Sequence, residues 1–331
     1  MICLVVAALV ALQTGIADRD TLAPAGVQPM RAEGKVRTDT LWSQSLGVRK
    51  AVVVYLPPSY DRDSGRRYPV AYYLHGLWGA EWNWARVGQL PQAMDSLVQA
   101  GGREMIVVMP DGDDGWYTTW NRLVEYGRCQ RTPPAKESAV TYCVPWARYD
   151  DYVARDVVAW ADSAFRTVRA RESRAIAGLS MGGYGAVTIA LAYPDVFAVA
   201  ASHSGVLSPL LLSGSGRSAR YGANTAELRT RWGSIWTNTR EVFGSDTVSW
   251  WARDPGRLAS RLAQRAPANM PRLYIDVGTA DRMLAQNDDF HASLDRLGIS
   301  HVYHRWPGAH DWRYWRTHVP ESLAWIGSSL R

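Results

Sequence analysis

A serine held between glycines, with a carboxylate and then a histidine further along the chain, has the groups needed for nucleophilic attack on a carbonyl. The stretch Ala175-Ile176-Ala177-Gly178-Leu179-Ser180-Met181-Gly182-Gly183-Tyr184 reads as a short buried strand, a tight turn and a helix start. In Gly178-x-Ser180-x-Gly182 the flanking positions are small because a strained turn that exposes the serine leaves no room for side chains. The pattern alone recurs by chance in glycine-containing chains. Here an apolar strand-like run precedes it, and a small-residue helix able to pack closely on a sheet follows it.

Serine by itself is a poor nucleophile. It needs an imidazole to take its proton and a carboxylate to fix the imidazole's tautomer and stabilise its charged form. Ser180, Asp281 and His310 occur in the order serine, acid, histidine, each a few residues after a predicted strand. Among seven histidines, His291 and His318 fall in predicted helices, His301 and His304 in or beside a strand, and His75 at another strand end. His203 precedes the acid in sequence and is the second choice as base. Asp276 falls inside a strand and Asp288 and Asp289 on or near a helix, which leaves Asp281 as the acid.

The developing oxyanion needs backbone donors. Met181, directly after the serine, and Leu77, after the strand end His75-Gly76, are the expected ones. Sixteen tryptophans are present, and Trp78, Trp82, Trp116, Trp120, Trp146 and Trp312 fall in loops at the expected catalytic end. Of these, Trp78, Trp116, Trp120 and Trp312, together with His75, are the expected substrate contacts. Indole faces suit sugar rings or aromatic acyl groups.

The elements that must position these groups alternate strand and helix. Strands are predicted over 36–45, 50–56, 68–74, 105–109, 175–179, 197–202, 271–278 and 301–305. Helices are predicted over 93–99, 149–164, 184–193 and 286–297, with a last helix after Asp311. Such alternation predicts an α/β fold, a mostly parallel sheet with helices on both faces. Two leading strands with no helix between them predict an antiparallel edge. Two long insertions, 113–148 and 206–253, are expected to form opposite walls of a cleft or a small lid.

Apolar residues make up 47% of the 331, enough for a substantial core. Of 37 basic residues 34 are arginine, spread without a run, so the net charge of +6 gives no nucleic-acid footprint. Residues 1–17 read as a signal peptide for secretion or release to the cell envelope, too short for a stable membrane anchor, and 18–34 as a leader. A single domain is expected over 35–331. Cys129 and Cys143 form an even pair in one predicted loop, and a bridge there fits an oxidising compartment. No Cys/His spacing resembles a zinc site, and no metal or cofactor is expected.

Four segments, Leu74-His-Gly-Leu77, Pro110-Asp-Gly with Gly115-Trp-Tyr, Gly178-Leu-Ser-Met-Gly-Gly-Tyr-Gly185 and Gly308-Ala-His-Asp-Trp312, make the chain resemble a family of α/β-hydrolase esterases. That family includes esterase D, the feruloyl and acetylxylan esterases of carbohydrate esterase family 1, and the antigen 85 mycolyltransferases. The resemblance covers about 52–326. It implies Ser180 as nucleophile, Asp281 as acid, His310 as base, and Leu77 and Met181 as oxyanion donors. It also implies an α/β-hydrolase fold and a small-molecule or carbohydrate ester as substrate. The expected activity is that of a secreted serine esterase. An acyltransferase passing the acyl group to a sugar hydroxyl, and a catalytically silent carbohydrate-binding protein, are the alternatives.

Overall fold

The computed structural model describes residues 33–121, 125–134 and 137–331. The expected signal peptide, 1–17, and residues 18–32 lie outside them. Ten strands occur among the described residues: β1 (Lys35–Ser43), β2 (Val48–Leu56), β3 (Val70–Leu74), β4 (Ile106–Pro110), β5 (Arg174–Leu179), β6 (Val199–His203), β7 (Leu211–Ser213), β8 (Arg220–Tyr221), β9 (Arg272–Gly278) and β10 (His301–Trp306). Eight form one sheet in the order β1-β2-β4-β3-β5-β6-β9-β10, while β7 and β8 pair separately. β2 is antiparallel to both β1 and β4, and the remaining neighbours run parallel. The expected antiparallel edge is there.

The central strands are unbroken apolar runs because both faces of the sheet are covered. Their alternation sends successive side chains to two separate cores. Val52, Val54, Tyr72, Val108 and Ile176 share one core with the helix Met181–Ala192. Val53, Tyr55, Tyr73, Val107 and Ala177 share the other with the helices Leu90–Gln99 and Trp312–Ser329. β1, at the edge, carries the charged Lys35, Arg37 and Asp39, which discourages pairing with another chain.

Three regions depart from the sequence reading in detail. The helix over 149–164 contains a π-helical stretch, Tyr152–Val157, whose wider turn places Tyr152, Val153, Ala154 and Val157 inside. Insertion 113–148 holds two short helices, Tyr126–Arg131 and Ala139–Tyr142, joined by the Cys129–Cys143 disulfide. Insertion 206–253 folds as the β7–β8 pair followed by the helices Thr225–Trp232, Trp236–Phe243 and Thr247–Ala252. Residues Ala32–Arg331 form one compact unit.

Candidate active site

Ser180 stands between β5 and the helix Met181–Ala192, with φ 53° and ψ −115°. That strained conformation turns the serine out of the sheet. Its N–H donates to His203 O at 2.9 Å, which seats the turn against β6. The flanking glycines are required by close approach. A Cβ on Gly178 would lie 2.4 Å from Gly182 O, and one on Gly182 would lie 2.3 Å from Leu74 O at the end of β3.

Asp281 follows β9 and His310 follows β10, and the two loops are stitched together. Thr279 N–H donates to Trp306 O and Ala280 N–H to Gly308 O, both at 2.8 Å. The stitching brings Asp281 Oδ1 and Oδ2 to 2.9 and 3.0 Å from His310 Nδ1, and His310 Nε2 to 3.0 Å from Ser180 Oγ. Trp315 packs edge-on to the imidazole, ring centroids 5.1 Å apart. Burial raises the pKa of the Asp281 carboxyl. Contacts with His310, the Met283 N–H and Ser204 outweigh that and hold it below its ordinary value.

The strand end His75-Gly76-Leu77 runs beside the turn: a Cβ on Gly76 would be 2.6 Å from the Leu179 side chain and 3.6 Å from Ser180 Cβ. Met181 is the first residue of its helix, so its N–H has no intrahelical acceptor. The loop after Leu77 is anchored where Trp78, at φ 62°, donates its N–H to Asp114 Oδ1 at 2.6 Å.

A cleft of about 420 Å³ opens over Ser180 and His310. Trp78, Trp116 and Trp312 line it as expected, and Trp116 belongs to the first insertion. Its indole N–H donates to Asn238 Oδ1 at 2.6 Å in the second insertion, so the two insertions meet at one wall.

Two expected substrate contacts lie elsewhere. His75 is buried under the strand end. Its Nδ1 lies 2.9 Å from Gly76 O and its Nε2 accepts from Gly112 N–H at 2.9 Å, so both nitrogens are engaged inside the protein. Trp120 is buried against Tyr142 and Tyr149, donates to Gly115 O at 3.1 Å, and braces the first insertion from behind. Trp82 and Trp146 also lie off the cleft wall. Sequence reasoning missed Arg231, Trp232, Arg282 and Trp315, which line the cleft. Arg282 adjoins the expected acid, a local hint. Arg231 and Trp232 lie in insertion 206–253, expected to wall the cleft, but no local pattern singles them out within it.

His203, the second choice as base, is fully buried. Its Nδ1 is 2.7 Å from Asp276 Oδ2 and its Nε2 is 3.0 Å from Ser322 Oγ, well inside the sheet's second core. Among the described residues one group could hold a metal ion. His291, Asp295 and His301 have ligand atoms within 4.8 Å of one another, a grouping the sequence spacing did not expose. His291 Nδ1 and His301 Nε2 lie 2.7 Å apart, a hydrogen bond between the two imidazoles.

Residues 43–326 match the family described as "Putative esterase". A Mycobacterium tuberculosis esterase is 29% identical over 286 residues, covering 82% of this chain and 54% of the relative. The chain therefore spans about half the length of that relative. An acetyl esterase of Caldicellulosiruptor saccharolyticus is 24% identical over 258 residues, covering 77% of this chain and 82% of the relative. A ferulic acid esterase of known structure superposes with a TM-score of 0.68 at 24% identity, covering 90% of this chain and 99% of the other, and so shares the α/β-hydrolase fold.

Proposed function

This chain belongs to the esterase family, and we propose that it is a serine carboxylesterase working through an acyl-enzyme on Ser180. The observation that carries the reading is the unbroken hydrogen-bonded path from Ser180 Oγ through His310 to Asp281. His310 Nε2 takes the hydroxyl proton as Ser180 Oγ attacks the ester carbonyl, while Asp281 holds Nδ1–H and stabilises the imidazolium. The Leu77 and Met181 N–H groups receive the oxyanion. Collapse of the tetrahedral adduct breaks the bond to the alcohol oxygen, which leaves with the proton from His310. Water, deprotonated by the same imidazole, then attacks the acyl carbon and releases the acid and free Ser180.

Indole walls around the nucleophile support an acyl or alcohol part with a flat face, such as an aromatic acid or a sugar ring. The names of the similar acetyl and ferulic acid esterases agree with that range. The disulfide supports an oxidising compartment outside the cytosol. Residues 35–331 serve as one catalytic domain, a reading supported by their single compact unit.

A fluorophosphonate probe followed by peptide mapping should label Ser180. Ser180→Ala should lose labelling together with roughly 10⁶-fold of kcat on p-nitrophenyl butyrate. Unchanged turnover in Ser180→Ala would overturn the assignment. With glucose added, free butyrate should remain the main product, and a dominant butyryl-glucose would instead make the protein a transferase.

A further inference from the structure

We infer that the ester this cleft accepts carries an anionic group, a carboxylate, phosphate or sulfate, gripped by Arg231 and Arg282. The inference rests on the hydrolase reading above and adds the substrate's charge to it.

Both arginines line the cleft that holds Ser180 and His310, and no aspartate or glutamate lines it with them. Arg231 lies in the last turn of Thr225–Trp232 and is half-buried. Its Nε donates to Leu211 O at 3.2 Å, which fixes the stem and leaves the terminal nitrogens for another acceptor. Arg282 follows Asp281 directly. That carboxylate is not its counter-ion, being fully buried and committed to His310 Nδ1 and to Met283 N–H, the latter at 2.7 Å. Among the described residues neither guanidinium forms an ion pair, although other arginines of this chain do, as Arg174 does with Asp162 and Arg305 with Asp288.

An arginine-rich chain will place some arginines in any cleft. Here the half-buried Arg231 and the exposed Arg282 line one cleft with no counter-ion among the described residues, close enough for their charges to repel. The repulsion registers in Arg231, whose pKa burial and then the Arg282 charge lower from the usual guanidinium value. An anion placed between them relieves it, and two planar forks are suited to a carboxylate or phosphate by paired charge-assisted hydrogen bonds. The indoles of Trp78, Trp232 and Trp312 line the same cleft, and low-dielectric walls of this kind strengthen the attraction.

The test compares kcat/KM within two matched pairs of esters. The acyl-side pair is mono-p-nitrophenyl succinate against p-nitrophenyl butyrate. The leaving-side pair is 4-carboxyphenyl butyrate against 4-acetylphenyl butyrate. In at least one pair the anionic ester should be favoured about tenfold or more, the worth of one charge-assisted contact. Arg231→Gln and Arg282→Gln should each cut that ratio about tenfold, and Arg282→Lys should keep part of it. Fluorophosphonate labelling of Ser180 in the same samples reports whether the nucleophile is intact. Ratios near one in both pairs, or a ratio untouched by either Arg→Gln change while Ser180 still labels, would overturn the anionic substrate and leave the hydrolase standing. Failure of wild-type protein to label would overturn both.

Discussion

Asp281 gives both carboxylate oxygens to His310 Nδ1, accepts from the Met283 N–H as well, and has its side chain sealed from solvent. Because its folded pKa is depressed, its contribution to stability is present above the ordinary carboxyl value and lost as pH falls through the lower folded value. Asp281→Asn keeps the shape but reverses the donor and acceptor roles toward His310. We expect kcat to fall about 10⁴-fold with KM little changed, measured on p-nitrophenyl butyrate. A loss under tenfold would remove Asp281 from the proton path. His310 was singled out among seven histidines by chain order together with its place after a predicted strand, and the structure sets its Nε2 3.0 Å from Ser180 Oγ. His75 and Trp120 were misread because residue type and loop position look the same in a site wall and in the packing behind it. Arg231 and Trp232 were not singled out, although their insertion, 206–253, was expected to wall the cleft, because which of its residues face inward is set only when it folds back over the site.

At the level of elements, the turn at Ser180 could be read locally because its glycines answer contacts with its own helix and the neighbouring strand. The helix Pro255–Arg265 was not among the expected helices. Its cap, Asp254, accepts from Arg257 N–H at 3.0 Å, yet burial and then the charge of Asp289 raise its pKa to about 7. The folded state thus keeps a proton that the unfolded chain, near 3.8, has released. Stability should fall as pH rises between those two values and level off above the higher one. Asp254→Asn keeps the capping oxygen and never ionises. Relative to wild type it should gain about 3 kcal/mol on going from pH 5 to pH 8, read from urea midpoints at the two pH values. The same difference at both pH values would show that Asp254 does not titrate in that range.

Across the whole molecule, one buried lysine links parts far apart in sequence. Lys50 on β2 lies 2.8 Å from Asp111 and 2.5 Å from Asp113, in the loop after β4, and Tyr149 donates to Asp113 at 2.5 Å. Asp111 in turn lies 3.5 Å from His75 beside the oxyanion strand end. Burial lowers the Lys50 pKa, but Asp113 and Asp111 outweigh it and the group stays charged. Lys50→Met would leave the buried Asp113 and the partly buried Asp111 without this cation and should cost about 3–5 kcal/mol in urea unfolding. Adding Asp113→Asn should recover part of it. A single variant as stable as wild type would show that the network holds nothing together. The sequence by itself determined the alternation of strand and helix, the strained serine turn and the placing of Ser180, Asp281 and His310 in that order after successive strands, because these depend on local periodicity, small residues and chain direction. Only the tertiary structure decided which tryptophans face the cleft, that His75 is buried, and that two arginines with no ion pair among the described residues line the cleft with Ser180. Burial and charge pairing arise between segments that meet only after the chain has closed around its sheet.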